Sequence, residues 1–319
     1  MNLPVWIDYD DPLVSKLISR SLSRHINLTL SLSASDASLQ WSSYESISFE
    51  TIIAKPKTTL CNTYIFRKAL IRKHFLATTV QTWITKHPDS VLVDTVPRTY
   101  LLECDYADYL DEALNESFEL RQALELNETS KETQYFILKP SMADRGQGIR
   151  LFSRLDELQE IFNEFEQEDD EDSDVESNEN GVIAGQLRHF VVQEYISRPL
   201  LLDSLRPNRK FHLRVYVVVF GAMKVWVWSE ILALFAARTF ESPTTHRGEL
   251  DRHLSNTCLQ DRSTKHDNVL GFWSLPLSND QLQGIFNSIC SISGEIFTAA
   301  AVSQQMHFRV PYLPRRTVN

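Results

Sequence analysis

The sequence predicts an α/β protein of mixed sheets and amphipathic helices, and three observations carry that prediction. Residues 3–9, LPVWIDY, read as a short apolar strand, and LVSKLISRSLSRH behind them repeats apolar residues at helical spacing. A second apolar run, YFILKPS (135–141), opens into a loop that carries two glycines, DRGQGI. Then HFVVQEYI (189–196), KFHLRVYVVVFG (210–221) and AMKVWVWSE (222–230) follow closely, each rich in β-branched and aromatic residues.

Taken in order, the opening strand and helix give an α/β start, and the Ser-rich, weakly patterned residues 29–50 predict a loop or variable edge. Residues 62–87, NTYIFRKALIRKHFLATTVQTWITKH, predict one long helix on which Ile65, Ala69, Phe75, Leu76, Val80 and Ile84 share an apolar stripe. Arg67, Lys68, Arg72 and Lys73 lie on or near one side of it, either as a patch for an acidic peptide tail or as a solvated face. VLVDTVP reads as a strand closed by Pro97. Residues 100–130 are acidic and read as helical, with the Leu-Leu of LLECD (101–105) in the core and Glu103 at the surface.

LDELQEIFNEFE (155–166) is an amphipathic helix, and EQEDDEDSDVESNENG (166–181) is a low-complexity acidic stretch predicted to stay disordered because it has too little apolar surface to bury. Gly221 falls where the two later strands would turn into a hairpin, and QLQGIFNSICSISGEIFTAAA predicts a long final helix. No internal repeat is visible.

At 319 residues the chain has room for one large domain or two modest ones. A net charge of −10 argues against non-specific nucleic-acid binding, although much of it sits in the acidic stretch. A sequence-specific RNA binder finds little support, since no aromatic RNA-binding strand motif is present. The four cysteines, Cys61, Cys104, Cys258 and Cys290, are scattered without a CxxC pair, which gives neither a disulfide framework nor a zinc site. The N-terminus lacks a basic-then-apolar signal pattern, and no apolar run reaches the roughly 20 residues that span a bilayer. A cytosolic protein without membrane attachment is the expectation.

Four segments carry candidate chemistry. Lys139 ends an apolar strand, where it can reach a phosphate, and Gly146 and Gly148 let backbone N–H groups approach oxygens, with Arg145 adding charge. The lysine precedes the glycines, so this is neither a P-loop nor a dinucleotide fingerprint, and alone it also fits an ordinary turn. In VVQEYISRPLLL, Gln193, Glu194, Tyr195 and Ile196 resemble a hinge that offers backbone groups to adenine, or else a buried strand ending at Pro199. In RKFHLRVYVVV, alternation puts Lys210, His212 and Arg214 on one face and Phe211, Leu213 and Val215 on the other: an anion cradle or a solvated sheet edge. In HLSNTCLQ, Ser255 and Asn256 are small polar groups of the kind that also turn or cap a chain.

In this order, and with NTYIFRKALIRKHFL (62–76), these segments resemble the tubulin–tyrosine ligase family across roughly residues 60–308. YIFRKALIRKHFL, ILKPSMADRGQGI and RKFHLRVYV are most similar to its fungal, P-body-associated branch. The resemblance implies an ATP-grasp fold, in which two α+β lobes hold ATP between sheets. It places an N-terminal α/β region at 1–58, the ATP-grasp domain at 59–308 and a divergent tail at 309–319.

Carried over residue by residue, Lys139 binds phosphate while Arg145 and the backbone of Gly146, Gln147, Gly148 and Ile149 cover it. Gln193, Glu194, Tyr195 and Ile196 hold adenine. Lys210 and Arg214 contact phosphate or the carboxylate being activated, and Ser255 and Asn256 lie near the nucleotide and amino-acid pocket. The implied reaction uses ATP and magnesium to turn a carboxylate into an acylphosphate, which an amine on a protein tail, of tubulin or another protein, then attacks.

Three departures stand against an active ligase. His212 occupies a position where many members carry aspartate, and Leu234 stands about where the tubulin ligases supply an arginine. After Met306, His307 and Phe308 the chain runs RVPYLPRRTVN, without the LLEVN-type motif whose Asp, Glu and Asn hold magnesium. No metal ligands are therefore assigned. The alternative expectation is a non-catalytic scaffold partnered with proteins of cytoplasmic mRNA-decay granules.

Overall fold

The computed structural model describes residues 2–143, 146–172, 189–202, 204–205, 208–243, 249–256, 260, 267–304 and 306–309. The chain divides into two compact units, Met1–Arg67 and Lys68–Asn319.

The first unit is a parallel sheet of order β2-β1-β3-β4, formed by β1 (Leu3–Asp8), β2 (Leu28–Leu30), β3 (Leu39–Ser42) and β4 (Leu60–Cys61). Helix α1 (Pro12–Leu22) starts where Asp11 accepts from the Leu13 N–H and Pro12 supplies a preset φ. Helix α2 (Phe49–Ala54) joins β3 to β4. The Ser-rich stretch expected to be loop contains β3, because Gln40, fully buried, makes side-chain bonds to the Ala34 carbonyl and the Ser48 N–H that hold it inside. Leu60 pairs with Leu39, so this unit runs on past the boundary expected at residue 58.

The second unit begins with α3 (Lys68–Ile71) and α4 (Lys73–Lys86), separated by an extended Arg72 (φ −103°, ψ 126°), so the single long helix expected over 62–87 is two. The four basic residues expected on one helix face are consequently divided. Arg67 stacks its guanidinium over Tyr44 within the first unit, whereas Lys73 turns to backbone carbonyls described below. Next comes α5 (Leu92–Thr95), where a strand had been expected; Leu92 drives it, packing with Val80 and Trp83.

One antiparallel sheet, of order β5-β8-β6-β7, comprises β5 (Thr99–Glu103), β6 (Phe136–Pro140), β7 (Arg150–Phe152) and β8 (His189–Glu194). Helices α6 (Leu110–Glu116), α7 (Phe118–Thr129) and α8 (Leu155–Asp172) contribute to its main core, centred on Phe136, Phe152, Phe162 and Phe190. The acidic segment 100–130 is thus part strand, and on β5 Leu102 is buried while Leu101 is exposed. Helix α8 extends through residue 172, into the stretch expected to be disordered, and residues 173–181 lie outside the described residues.

A second sheet, of order β13-β12-β9, comprises β9 (Phe211–Arg214), β12 (Leu232–Phe235) and β13 (Val269–Gly271). Strands β10 (Val217–Phe220) and β11 (Lys224–Val227) form a separate antiparallel ribbon. Its turn uses Gly221 at φ +60° and Met223 at φ +74°, as the hairpin expectation required. The outer ribbon face exposes Tyr216, Val218, Phe220, Trp226 and Trp228.

After the short α9 (Leu250–His253), α10 (Asn279–Ser303) begins in a capping box of Ser278 and Gln281. Leu282, Ile285, Phe286 and Ile289 pack on the second sheet's core, and Ile292, Ile296 and Ala299 pack beside α4. By length and composition α10 is long and apolar enough to cross a membrane, contrary to the sequence expectation. Gly, Ser and Asn interrupt its apolar residues, so it is apolar on average without an unbroken apolar run.

Candidate functional site

A cavity of about 380 Å³ lies within the second unit, lined by residues of β6, the loop behind it, β9, α9 and the segment after α9. Lys139, Gly146, Gln147, Ile149, Ser255 and Asn256 line it, as expected from the sequence. So do Lys73, Ile137, Pro140, Ala143, His212, His253 and Leu254.

Strand alternation sets Lys139 half-buried between the buried Leu138 and Pro140. Its Nζ donates to Gln193 Oε1 at 2.8 Å, and Gln193 Nε2 donates to Thr99 Oγ1 at 2.8 Å, a chain of bonds across three neighbouring strands. Burial, with Lys73 nearby, pushes the Lys139 ammonium down to about 8. Lys73 Nζ itself donates to the Pro140 carbonyl at 2.9 Å and to that of Ala143, pinning the start of the loop.

The loop turns on Gly146 (φ +88°) and Gly148 (φ +65°). A Cβ at Gly148 would fall 2.7 Å from Pro140 Cγ, so this position needs both glycine's left-handed backbone and its lack of a side chain. Ile149 anchors the far end in a small core with Ile137, Leu151, Tyr195 and Leu254. Arg145 lies outside the described residues.

The hinge segment flanks the cavity. Tyr195 is buried and its hydroxyl is bonded to His253 Nδ1 at 3.0 Å; burial raises its pKa. Lys210 Nζ sits 3.8 Å from the centre of the Tyr195 ring and donates to the Ile196 carbonyl at 3.2 Å. Burial, with Lys139 close by, holds the Lys210 ammonium at about 8. Glu194 is half-buried at the end of β8 and Ile196 is exposed; neither lines the cavity.

On β9, Phe211 and Leu213 pack into the second core, which leaves Lys210, His212 and Arg214 for the other face. His212 Nδ1 lies 2.6 Å from Ser255 Oγ, and burial followed by the charge of Arg214 lowers its pKa. Arg214 is exposed and does not line the cavity. Leu234 stands directly across from His212 on β12.

Sequence reasoning placed Lys73 in a basic helix patch rather than on this cavity, and it did not single out His253. Lys73 sits in a run of basic residues whose contact with residues 140 and 143 no local pattern announces. His253 adjoins Ser255 and Asn256, and that proximity was a usable signal.

A lysine at a strand end, a glycine loop behind it and a hinge beside it, together with the sheet architecture, define an ATP-grasp protein. The structure superposes on the C-terminal domain of Kluyveromyces lactis Pby1, an ATP-grasp enzyme interacting with the mRNA decapping enzyme Dcp2, with a TM-score of 0.67 and 31% identity, covering 96% of this chain and 78% of that one. The profile of the tubulin-tyrosine ligase family matches residues 52–309, and the chain belongs to that family.

A probable tubulin–tyrosine ligase of Schizosaccharomyces pombe is 44% identical over 97% of this chain and 78% of its own length. The probable tubulin–tyrosine ligase PBY1 of Saccharomyces cerevisiae is 42% identical over 83% of this chain, which spans only 38% of that protein.

Proposed function

We propose that the chain binds ATP in this cavity and that its fold serves to join an amino acid to a protein tail through an acylphosphate. In this reading residues 59–308 form the nucleotide-binding domain behind an N-terminal α/β region. Lys139 neutralises phosphate, and the backbone of residues 146–149, with Arg145, covers it. Residues 193–196 receive adenine. Lys210 and Arg214 act on phosphate or on the carboxylate, with Ser255 and Asn256 beside them.

The observation that carries the reading is the placement of Lys139 and the glycine loop on one cavity, with a half-buried lysine-to-glutamine bond holding the ammonium in place. Chemically, a carboxylate oxygen attacks the γ-phosphorus and ADP leaves. The amine nitrogen then attacks the carbonyl carbon, an amide bond forms, and inorganic phosphate leaves with the amine giving up a proton. Positioning and charge neutralisation are the demands on the protein, and one preorganised electrostatic group is commonly worth about 10²–10³ in rate.

ATP-grasp chemistry in general uses magnesium. Among the described residues that line the cavity, none is a carboxylate, so no step is assigned here to the metal. Calorimetric titration with ATP tests the nucleotide site; absence of binding both with and without magnesium would remove it.

A second reading, a scaffold of cytoplasmic mRNA-decay granules, is favoured by the five exposed large apolar side chains on the outer face of the β10–β11 ribbon. A decapping enzyme is the partner that the Pby1 likeness brings forward. Co-purification with the decapping enzyme, lost in the Trp226→Ser, Trp228→Ser double variant while ATP binding persists, is the expected outcome. Co-purification unchanged by those substitutions would remove the ribbon from this role.

A further inference from the structure

The cavity presents cations and neutral polar groups. Lys73 and Lys139 are basic residues of its lining, and His212 and His253 add imidazoles. Ser255 and Asn256 supply neutral oxygens and an amide, and among the described lining residues there is no aspartate or glutamate. Asp144 lies outside the described residues, and Glu194, on the hinge, does not line the cavity.

This set of donors fits an anion and fits magnesium poorly. Magnesium is held in nucleotide sites through one or two carboxylates together with phosphate oxygens and water. Two ammonium groups at the same wall repel a dication and attract phosphate, and in a half-buried site that preference is stronger than in water. His212 strengthens the argument by its geometry. Ser255 Oγ occupies its Nδ1 at 2.6 Å, so Nε2 is the nitrogen left for a ligand of the cavity.

We infer that this chain binds the nucleotide phosphates as a metal-free anion, with Lys139, Lys73 and His212 in the place that magnesium holds in other nucleotide sites. The inference rests on the nucleotide reading above and specifies the ionic form in which the nucleotide is taken.

The test is calorimetric titration of the full chain with ATP, once in EDTA and once in excess magnesium. The affinity in EDTA is expected to equal or exceed that in magnesium. The His212→Asp variant is expected to lose about tenfold in EDTA, the scale of one charge-assisted contact, and to recover in magnesium because a carboxylate has been supplied. Thermal unfolding checks that this variant is folded; if it is not, His212→Asn in EDTA replaces it, with the same loss expected.

Wild-type affinity at least tenfold higher in magnesium would overturn the inference while leaving the nucleotide site standing. A His212 variant that is folded and binds like the wild type in EDTA would overturn the part given to His212. No ATP binding under either condition would bring down the nucleotide site and the inference together.

Discussion

Lys139 and Gln193 lie on neighbouring strands of one sheet, and the ammonium of the first donates to the side-chain oxygen of the second at 2.8 Å. Gln193 is held in turn by Thr99, so the lysine reaches the cavity with a fixed orientation and little freedom to lose on binding.

Two pH effects of opposite sign follow. Lys139 and Lys210 are each held at about 8, below the ordinary 10.5, by burial first and a neighbouring lysine second. Anion binding needs the charged forms, so ATP affinity is expected to fall as pH rises through 8. Folding stability should rise between 8 and 10.5, because there the unfolded chain binds more protons than the folded one. Calorimetry and chemical denaturation across that range check the two slopes; parallel slopes would contradict the burial of these ammonium groups.

Replacing Lys139 by Met keeps the stem and removes the charge. ATP affinity is expected to drop about tenfold or more, with little loss of thermal stability, since a partly desolvated charge goes with it. A variant that binds normally would exclude Lys139 from the nucleotide site.

Gly148→Ala places a methyl against Pro140 and strains a backbone at φ +65°. The left-handed conformation alone costs an alanine about 1–2 kcal/mol. Destabilisation of at least that size by denaturant titration, together with weakened ATP binding, is expected.

Glu295 accepts from Ser90 and, at 2.8 Å, from Trp83 Nε1, which ties α10 to α4 and the turn after it. The Ser90 bond, then the Trp83 bond, hold its carboxyl below the ordinary 4.5. A depressed folded-state pKa gives stability that is present above 4.5 and lost as pH falls below it. Glu295→Gln retains an acceptor without the charge, and its denaturation curve should be less sensitive to acid than that of the wild type.

Tyr195 supports Lys210 through its ring and His253 through its hydroxyl. Tyr195→Phe keeps the ring and removes the one buried bond to His253, with an expected cost of about 0.5–1.5 kcal/mol. Tyr195→Leu removes both and should weaken ATP binding further; equal effects of the two variants would mean that the ring does not matter.

Much of the site was legible because strand alternation has period two. Alternation set His212 on the face opposite Phe211 and Leu213, Lys139 was marked by its place at the end of an apolar strand, and glycines seven and nine residues past it marked the loop. The order of those segments was enough to place the chain in its family. The break at Arg72, the helical Leu92–Thr95 and the strand around Gln40 were not legible, because each is fixed by contacts distant in sequence. Leu92 is helical because Val80 and Trp83 receive it, and nothing within VLVDTVP distinguishes that from a strand.

By itself, then, the sequence determined the fold class and which basic and glycine residues are candidates for a phosphate site. Only the tertiary structure decided that Lys73 joins Lys139 and His212 on one cavity while Arg214 remains outside it. The physical reason is that local periodicity sets the face on which a side chain stands, whereas the groups sharing that face with it are chosen by the packing of strands and helices far apart in the chain.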